Sequence, residues 1–358
     1  MTDAGQVPDG GMPWLDASGP HAHLVLSTRV RLARNVAGHP FGGRNTAEQR
    51  EGIVELVAEA ARSIPALADA TLYRLESVSP ATRRWLNERQ LVSRDLAGLD
   101  VAGRVRSGAA LLLGRSASAM INEEDHLRLQ GLRSGFALEA AYAATDRVDR
   151  ELGVRVSFAF HPEFGYLTAC PTNVGTGLRA SVLIHLPGLV LTKEITKVLQ
   201  GLAQVGLTYR GLFGEGSDVL GHLFQLSNQT TLGKSDAELL DHLGRMVRQV
   251  MEYEERAREV LRRDAAAALE DRVWRAWAVL RHARMLSFDE TVNLLSGVRL
   301  GVGLQILPNA PLYTLNRLLV LAQSAHVAQA AGVSLDDEAL PEHRAAFVRR
   351  LFEEVDRP

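Results

Sequence analysis

His23-Leu-Val-Leu-Ser-Thr-Arg-Val-Arg-Leu32 is the stretch that decides the fold class. Apolar and polar residues alternate along it, the period of a strand buried on one side. Leu26, Thr28, Val30 and Leu32 share one face, and Arg29 and Arg31 share the other, because side chains flip at every residue of a strand. Such a strand holds fixed positive charge over an apolar core. Around it, residues 46–63 and 78–91 read as helices, 109–130 as extended chain and 136–152 as a helix. Strands are expected at 154–160, 165–169, 179–186, 205–213 and 222–227, interrupted by a helix at 190–203. The pattern is α+β: a large, mainly antiparallel sheet flanked by helices. From 236 to 296 the chain is almost continuous helix former, and the rest reads as helices broken at Gly301–Gly303, Pro308–Pro311 and Gly332. Residues 1–22 read as a loose lead-in, 23–255 as the sheet domain and 256–358 as a helical C-terminal domain.

The composition excludes several functions. A chain of 358 residues has room for about two domains. A net charge of −2 provides no global field for nucleic acid, so no nucleic-acid partner is expected. Cys170 is the only cysteine, which excludes an internal disulfide framework and fits a reducing cytoplasm. No stretch approaches the ~18–20 apolar residues of a membrane helix, and the N-terminus lacks the basic start and apolar run of a signal peptide. A cytoplasmic protein without membrane contact is the expectation.

Standard nucleotide signatures are missing. Gly175-Thr-Gly-Leu-Arg-Ala180 has dinucleotide-site spacing, but a strand follows it where that site needs a helix. What stands out is arginine on strands beside glutamate. Reading 120–130 as one strand puts Glu124, His126 and Arg128 on one face and Glu123 on the other, a pattern that a solvated surface ion pair would also give. Cys170-Pro-Thr-Asn-Val-Gly-Thr-Gly-Leu-Arg179 runs from a strand into a turn whose N–H groups and hydroxyls can meet an anion. In Tyr209-Arg-Gly-Leu-Phe-Gly-Glu-Gly-Ser217, the glycines permit close backbone approach to a ligand or form a plain hairpin tip.

Together these segments resemble the phosphagen (guanidino) kinases, and within them the bacterial protein-arginine kinases. The motifs are Leu26-Ser-Thr-Arg-Val-Arg-Leu-Ala-Arg-Asn35, Asn122-Glu-Glu-Asp-His-Leu-Arg128, Cys170 to Ala180, and Arg210-Gly-Leu-Phe-Gly-Glu215. The resemblance covers residues 13–255 well and extends more loosely through Leu312-Tyr-Thr-Leu-Asn316 and Gln323-Ser-Ala-His326. It implies ATP and Mg²⁺, with Arg29, Arg31, Arg128, Arg179 and Arg210 holding phosphate. Arginine suits that task because it stays charged and offers a planar fork of donors. Further nucleotide contacts are implied at Ser27, Thr28, Val30, Gln90, Ala180, Ser181, Val182, Leu183, Gly211, Leu212, Phe213, Gly214 and Glu215. Glu124 and Glu215 match the pair that orients and deprotonates the guanidinium, and Cys170 matches the reactive thiol beside it. No metal-ligating residue is implied, since Mg²⁺ is held mainly by phosphate and water.

The implied activity is ATP-dependent phosphorylation of protein arginine, with marking of proteins for a Clp-type protease. Implied partners are arginine-presenting proteins, a second copy of the chain bound through the C-terminal domain, and an activator protein. A kinase of free arginine or another small guanidine is one alternative, and a non-catalytic adaptor retaining the fold is another. Small-guanidine members carry a helical domain before the sheet; here the Ser27-Thr-Arg-Val-Arg31 segment lies so early that this domain is expected to be absent. The chain departs from the bacterial pattern twice. Gln90 replaces the usual histidine at the nucleotide, and Leu340-Pro-Glu-His-Arg-Ala345 replaces an Arg-Asp-x-x-Arg-Ala motif that binds phosphoarginine.

Overall fold

In a computed structural model, residues 12–100, 103–212, 219–307 and 310–355 are described. Strand β1, Val25–Arg34, lies at the middle of the large sheet. Beside it on one side are β5 (Leu127–Ser134), β4 (Ser118–Ile121), β3 (Ala110–Leu113) and β2 (Thr71–Arg74). On the other side lie β8 (Leu178–His185), β10 (Leu223–Asn228) and β9 (Leu207–Arg210). Every pairing in this eight-stranded sheet is antiparallel. A small hairpin, β6 (Phe160–His161) with β7 (Gly165–Tyr166), stands apart from it.

The two faces of β1 diverge as its alternation predicts. Val30 and Leu32 enter the main core with Leu129, Ala180, Val182 and Leu226. Helices α1 (Ala47–Arg62), α3 (Leu138–Gly153) and α6 (Asp236–Asp264) cover this side. Helix α1 starts at a reciprocal cap between Thr46 and Gln49, and α6 at one between Ser235 and Glu238, each satisfying N–H groups that the first turn cannot. The approach of α3 to the sheet depends on Gly131: a Cβ there would stand 2.5 Å from Thr145 Oγ1 and 2.6 Å from Ala141 O.

Several expected elements are shorter than the sequence pattern suggests. Of the expected strands at 154–160 and 165–169, only β6 and β7 form. The 190–203 helix is two, α4 (Pro187–Leu191) and α5 (Ile195–Gln204). The extended stretch 109–130 is three strands, and residues 122–126 form a turn closed by Asn122 N donating to His126 O. Asn122 takes a left-handed conformation, φ 59°, which asparagine tolerates better than most residues.

The C-terminal half contains α6, α7 (Ala266–His282), α8 (Phe288–Gly303), α9 (Leu312–Leu321), α10 (Ser324–Ala331) and α11 (Leu340–Val355). Helix α6 runs unbroken through residue 255, where the sequence suggests a boundary. These helices share a core with the sheet: Leu26, Leu183, Leu212 and Leu223 pack with Val292, Leu295, Leu315 and Phe352. The expected loose lead-in is also anchored. Trp14 and Leu15 are buried, Asn316 donates to Leu15 O, and Arg299 donates to Ala22 O. Among the described residues no helix is long and apolar enough to cross a membrane.

Candidate active site

The strand register sets the arginines side by side. In antiparallel pairs, directly opposed residues project to the same side. Arg31 stands opposite Gln130 on β5 and Arg179 on β8, while Ala33 is opposite Arg128. Two steps along, Arg29 is opposite Ser181, which is itself opposite Ser227 on β10; Gln225 of β10 is opposite Arg210. Arg29, Arg31, Arg128, Arg179 and Arg210, carried by four strands, thus line one cavity of about 1000 Å³.

Their charges are close enough to act on one another. Loss of hydration, followed by repulsion from Arg128, Arg179 and Arg210, lowers the Arg29 guanidinium to about 10. Arg31 is likewise pushed well down, first by burial and then by Arg29, Arg128 and Arg179, against a single opposing pull from Glu123. The buried Nε atoms of both have no hydrogen-bond partner. Such a wall favours a ligand bearing several negative charges.

Opposite charge gathers at the rim. Arg128 Nη1 lies 2.5 Å from Glu123 Oε1, and its Nη2 lies 3.4 Å from Glu124 Oε2. Burial raises the Glu124 carboxyl, with Asp125 and Glu123 pushing the same way; Arg128 and the Cys170 thiol pull it down. Cys170 also lines the cavity, its Sγ 3.0 Å from Thr172 Oγ1. Its loop is fixed from below, because Asp125 accepts from Ala169 N at 2.6 Å and from Asn35 Nδ2 at 2.7 Å.

The turn at 122–126 corrects the strand reading of this segment. Glu123 is brought to the same guanidinium as Glu124, where an alternating strand would have turned it away. His126, expected beside Glu124, is buried beneath the site: its Nδ1 accepts from Val36 N at 2.9 Å, and its Nε2 meets Pro40 O at 2.9 Å. Gln90, which the resemblance implies at the nucleotide, stands at the arginine cluster. Its Oε1 accepts from Arg29 Nη1 at 3.4 Å, and its backbone oxygen accepts from Gln130 Nε2 at 3.0 Å.

Other expected contact residues are placed differently. Thr28, Val30, Ala180 and Val182 turn their side chains to the reverse face; Thr28 Oγ1 donates to Gly135 O at 2.7 Å. Ser181 braces the wall, accepting from Gln225 Nε2 at 2.9 Å, and Leu183 packs with the C-terminal helices. Leu212 lines the cavity, whereas Ser27 and Gly211 do not. Phe213, Gly214 and Glu215 lie outside the described residues. The sequence reading turned Glu123 to the opposite face, and it missed Gln130, Gln225 and Ser227, whose only signal was their place on strands beside the arginines. It also missed Phe288, Asp289 and Gln323, which reach the cavity from the C-terminal helices.

Residues 52–257 match the family of the ATP:guanido phosphotransferase C-terminal catalytic domain, and residues 266–358 match the protein-arginine kinase McsB C-terminal domain. The protein-arginine kinase of Moorella thermoacetica is 43% identical, over 95% of this chain and 97% of its own. The chain belongs to the protein-arginine kinase family. The family member of Brevibacillus brevis is 41% identical over 96% of both chains. Protein-arginine kinases are phosphotransferases that act on a guanidino nitrogen with ATP as donor. Among solved structures, the duplicated taurocyamine kinase of Schistosoma mansoni with transition-state-analogue components aligns at TM-score 0.60 and 26% identity, over 71% of this chain and 35% of that one. Lombricine kinase shares the fold at TM-score 0.57 and 24% identity, over 67% of this chain and 70% of its own.

In this protein-arginine kinase the segment at the phosphoarginine-motif position is occupied structurally. The Arg344 side chain is buried, donating from Nε to Ala322 O at 2.7 Å and from Nη1 to Leu286 O at 2.9 Å. Pro341 O accepts from Leu286 N, and Leu340 is buried.

Proposed function

We propose that this cavity binds Mg·ATP with its phosphates against the arginine wall and transfers the γ-phosphoryl group to an arginine side chain of a protein. The observation that carries the reading is the convergence of Arg29, Arg31, Arg128, Arg179 and Arg210 on one cavity that has Glu124 and Cys170 at its rim. The acceptor nitrogen forms a bond to the γ-phosphorus as the bond to the β–γ bridging oxygen breaks, and ADP leaves. Glu124 orients the guanidinium through charge-assisted hydrogen bonds and takes the proton that the attacking nitrogen sheds. Glu215 is the second carboxylate of this reading. The arginines meet charge as it spreads over the transferring oxygens, and Cys170 lies beside the cationic acceptor.

Mg²⁺, when bound with the nucleotide, would neutralise phosphate charge and would be held mainly by phosphate and water. The donor set fits that role: Glu123 and Glu124 offer hard oxygens at the rim, and among the described residues no group of three or more His, Cys, Asp or Glu side chains forms a cage. A reducing cytoplasm suits the lone thiol. Pairing of two copies through the C-terminal helices, an activator protein and delivery of marked proteins to a Clp-type protease belong to the same reading. Exposed Trp274 and Met285 offer apolar surface for that pairing.

The test is incubation with Mg·ATP and an unfolded, arginine-rich protein, followed by mass spectrometry under conditions that preserve acid-labile phosphate. Phosphoarginine in the protein is the expected product. Phosphorylation of free arginine alone, in a parallel reaction, would replace this reading with the small-guanidine one, and no transfer to either would leave the adaptor.

A further inference from the structure

We propose that His326, on α10, is a positioning residue for the nucleotide end of the cavity, acting through Glu88 and Arg89 on Gln90. This inference rests on the reading of the cavity as a nucleotide site. Helix α2 (Pro80–Glu88) ends against the N-terminus of α10, although 238 positions separate Glu88 from His326. The N-cap residue of α10, Gln323, makes no capping hydrogen bond with its own side chain. Glu88 supplies that cap from the other element. Its carboxylate accepts from Ala325 N at 2.9 Å, from His326 N at 3.2 Å and from His326 Nδ1 at 2.7 Å. A negative charge at a helix N-terminus is favourable, and here it is buried with its donors in place.

The imidazole is held on every side. Arg89 Nε can only donate, so His326 Nε2 accepts that bond, at 3.1 Å, and Nδ1 carries the proton given to Glu88. The ring stacks on Trp85 with centroids 5.4 Å apart, and the Arg89 guanidinium lies 3.5 Å from the same indole. Gln323 Nε2 adds a bond to Glu88 O at 3.3 Å.

The next residue along the chain is Gln90. Its φ is 60°, the left-handed conformation of a residue that ends a helix. Local backbone bonds close this helix end, Gln90 N donating to Asn87 O at 2.8 Å and Leu91 N to Leu86 O at 3.0 Å, while the clamp on Glu88 and Arg89 and the Gln130 bond to Gln90 O fix where that end sits. In this conformation the Gln90 amide reaches Arg29 and the cavity. Removing the imidazole takes from Glu88 its shortest donor and from Arg89 an acceptor, and lets the end of α2 that carries Gln90 shift against the cavity. The arginine wall stays on its strands while its nucleotide-side boundary loosens.

The experiment compares full-length wild type, His326→Leu and His326→Asn by calorimetric titration with Mg·ADP and by steady-state kinetics. Leucine keeps apolar volume without a donor, whereas the asparagine amide can present an N–H near the position of Nδ1. His326→Leu is expected to weaken Mg·ADP binding and raise the KM for ATP by about tenfold, while kcat at saturating ATP changes by less than about threefold. His326→Asn is expected to recover most of that loss. Wild type that fails to bind Mg·ADP would overturn the nucleotide reading itself. Wild type that binds, with His326→Leu binding equally well, would overturn the positioning role alone, as would equal falls in kcat and affinity. If His326→Leu does not fold, amide exchange on wild type decides: by reciprocity, Mg·ADP should slow exchange at Ala325 and His326 by about threefold or more, and unchanged exchange would overturn the proposal.

Discussion

Strand β1 carries two kinds of arginine a few residues apart. Arg34, at its end, is buried and met by opposing charge: Nη2 lies 2.8 Å from Asp149 Oδ2, Nη1 donates to Ala33 O and Thr176 O, and the Tyr166 ring lies 3.5 Å away. Arg29 and Arg31 face the cavity, where most of their charged neighbours are other arginines. The first kind is finished by the fold, and its guanidinium works as a cross-brace. The second is left in mutual repulsion by the fold, and a polyanion completes it. The sign of the local electrostatics, more than burial, distinguishes the two.

The comparison can be broken by substituting the same residue at both places. Arg34→Met should destabilise the chain by about 3–5 kcal/mol, because Asp149 is left buried without its partner. Denaturant unfolding measures this; a loss under about 1 kcal/mol would remove the distinction. Arg31→Met should behave in the opposite way. It relieves like-charge crowding, so the melting temperature should hold or rise, while kcat/KM for ATP falls by about 10²–10³. A variant that melts early and keeps its activity would reverse the assignment.

The rim sharpens the contrast. Glu124→Gln should lower turnover by about 10², or 2.7 kcal/mol, with little change in ATP affinity. Because burial raises the Glu124 carboxyl, the acid limb of kcat should fall above the usual carboxylate range, with activity rising as the group loses its proton. Removing the counter-charge with Arg128→Gln should move that limb to higher pH, and an acid limb that stays in place would exclude Glu124 as its source. The smallest effect is expected at Cys170. Cys170→Ala should slow turnover by about tenfold or less, whereas a thiol reagent should inhibit more strongly, since a bulky adduct fills the cleft. ATP with protein substrate should protect the thiol, and labelling at the same rate with and without them would place Cys170 away from the reaction.

Much of this site was legible because strands write their faces into the sequence. The alternation puts Arg29 and Arg31 on one face before any fold is known; that Arg128, Arg179 and Arg210 join them was implied by the resemblance. Alternation fails where the strand stops: the turn at 122–126 reverses the side to which Glu123 points, and nothing in the apolar pattern marks Asn122 as left-handed. Resemblance placed Gln90 at the nucleotide, but its clamp is made by residues more than two hundred positions away. The same holds for Phe288, Asp289 and Gln323, which only tertiary packing brings to the cavity. Near residue 255 the sequence marks a boundary, and the two family matches, 52–257 and 266–358, meet close to it; what the pattern does not convey is how the two parts join. Helix formers on both sides of it belong to one rod, and the C-terminal helices close over the sheet's own apolar residues.

The buried anchor at Trp14 and Leu15 bears on the order in which the chain can assemble. Leu15 is tied to Asn316 across 301 positions, and Ala22 to Arg299 across 277. On a ribosome, the segment leading into β1 emerges well before the C-terminal helices that fasten it. Strand β1 must also wait for β5 and β8, its two neighbours, before its arginines are aligned. Closing loops of that size is slow, and long-range pairing comes late. During synthesis, a nascent chain would therefore expose an arginine-bearing strand before the neighbours that complete its wall have been made.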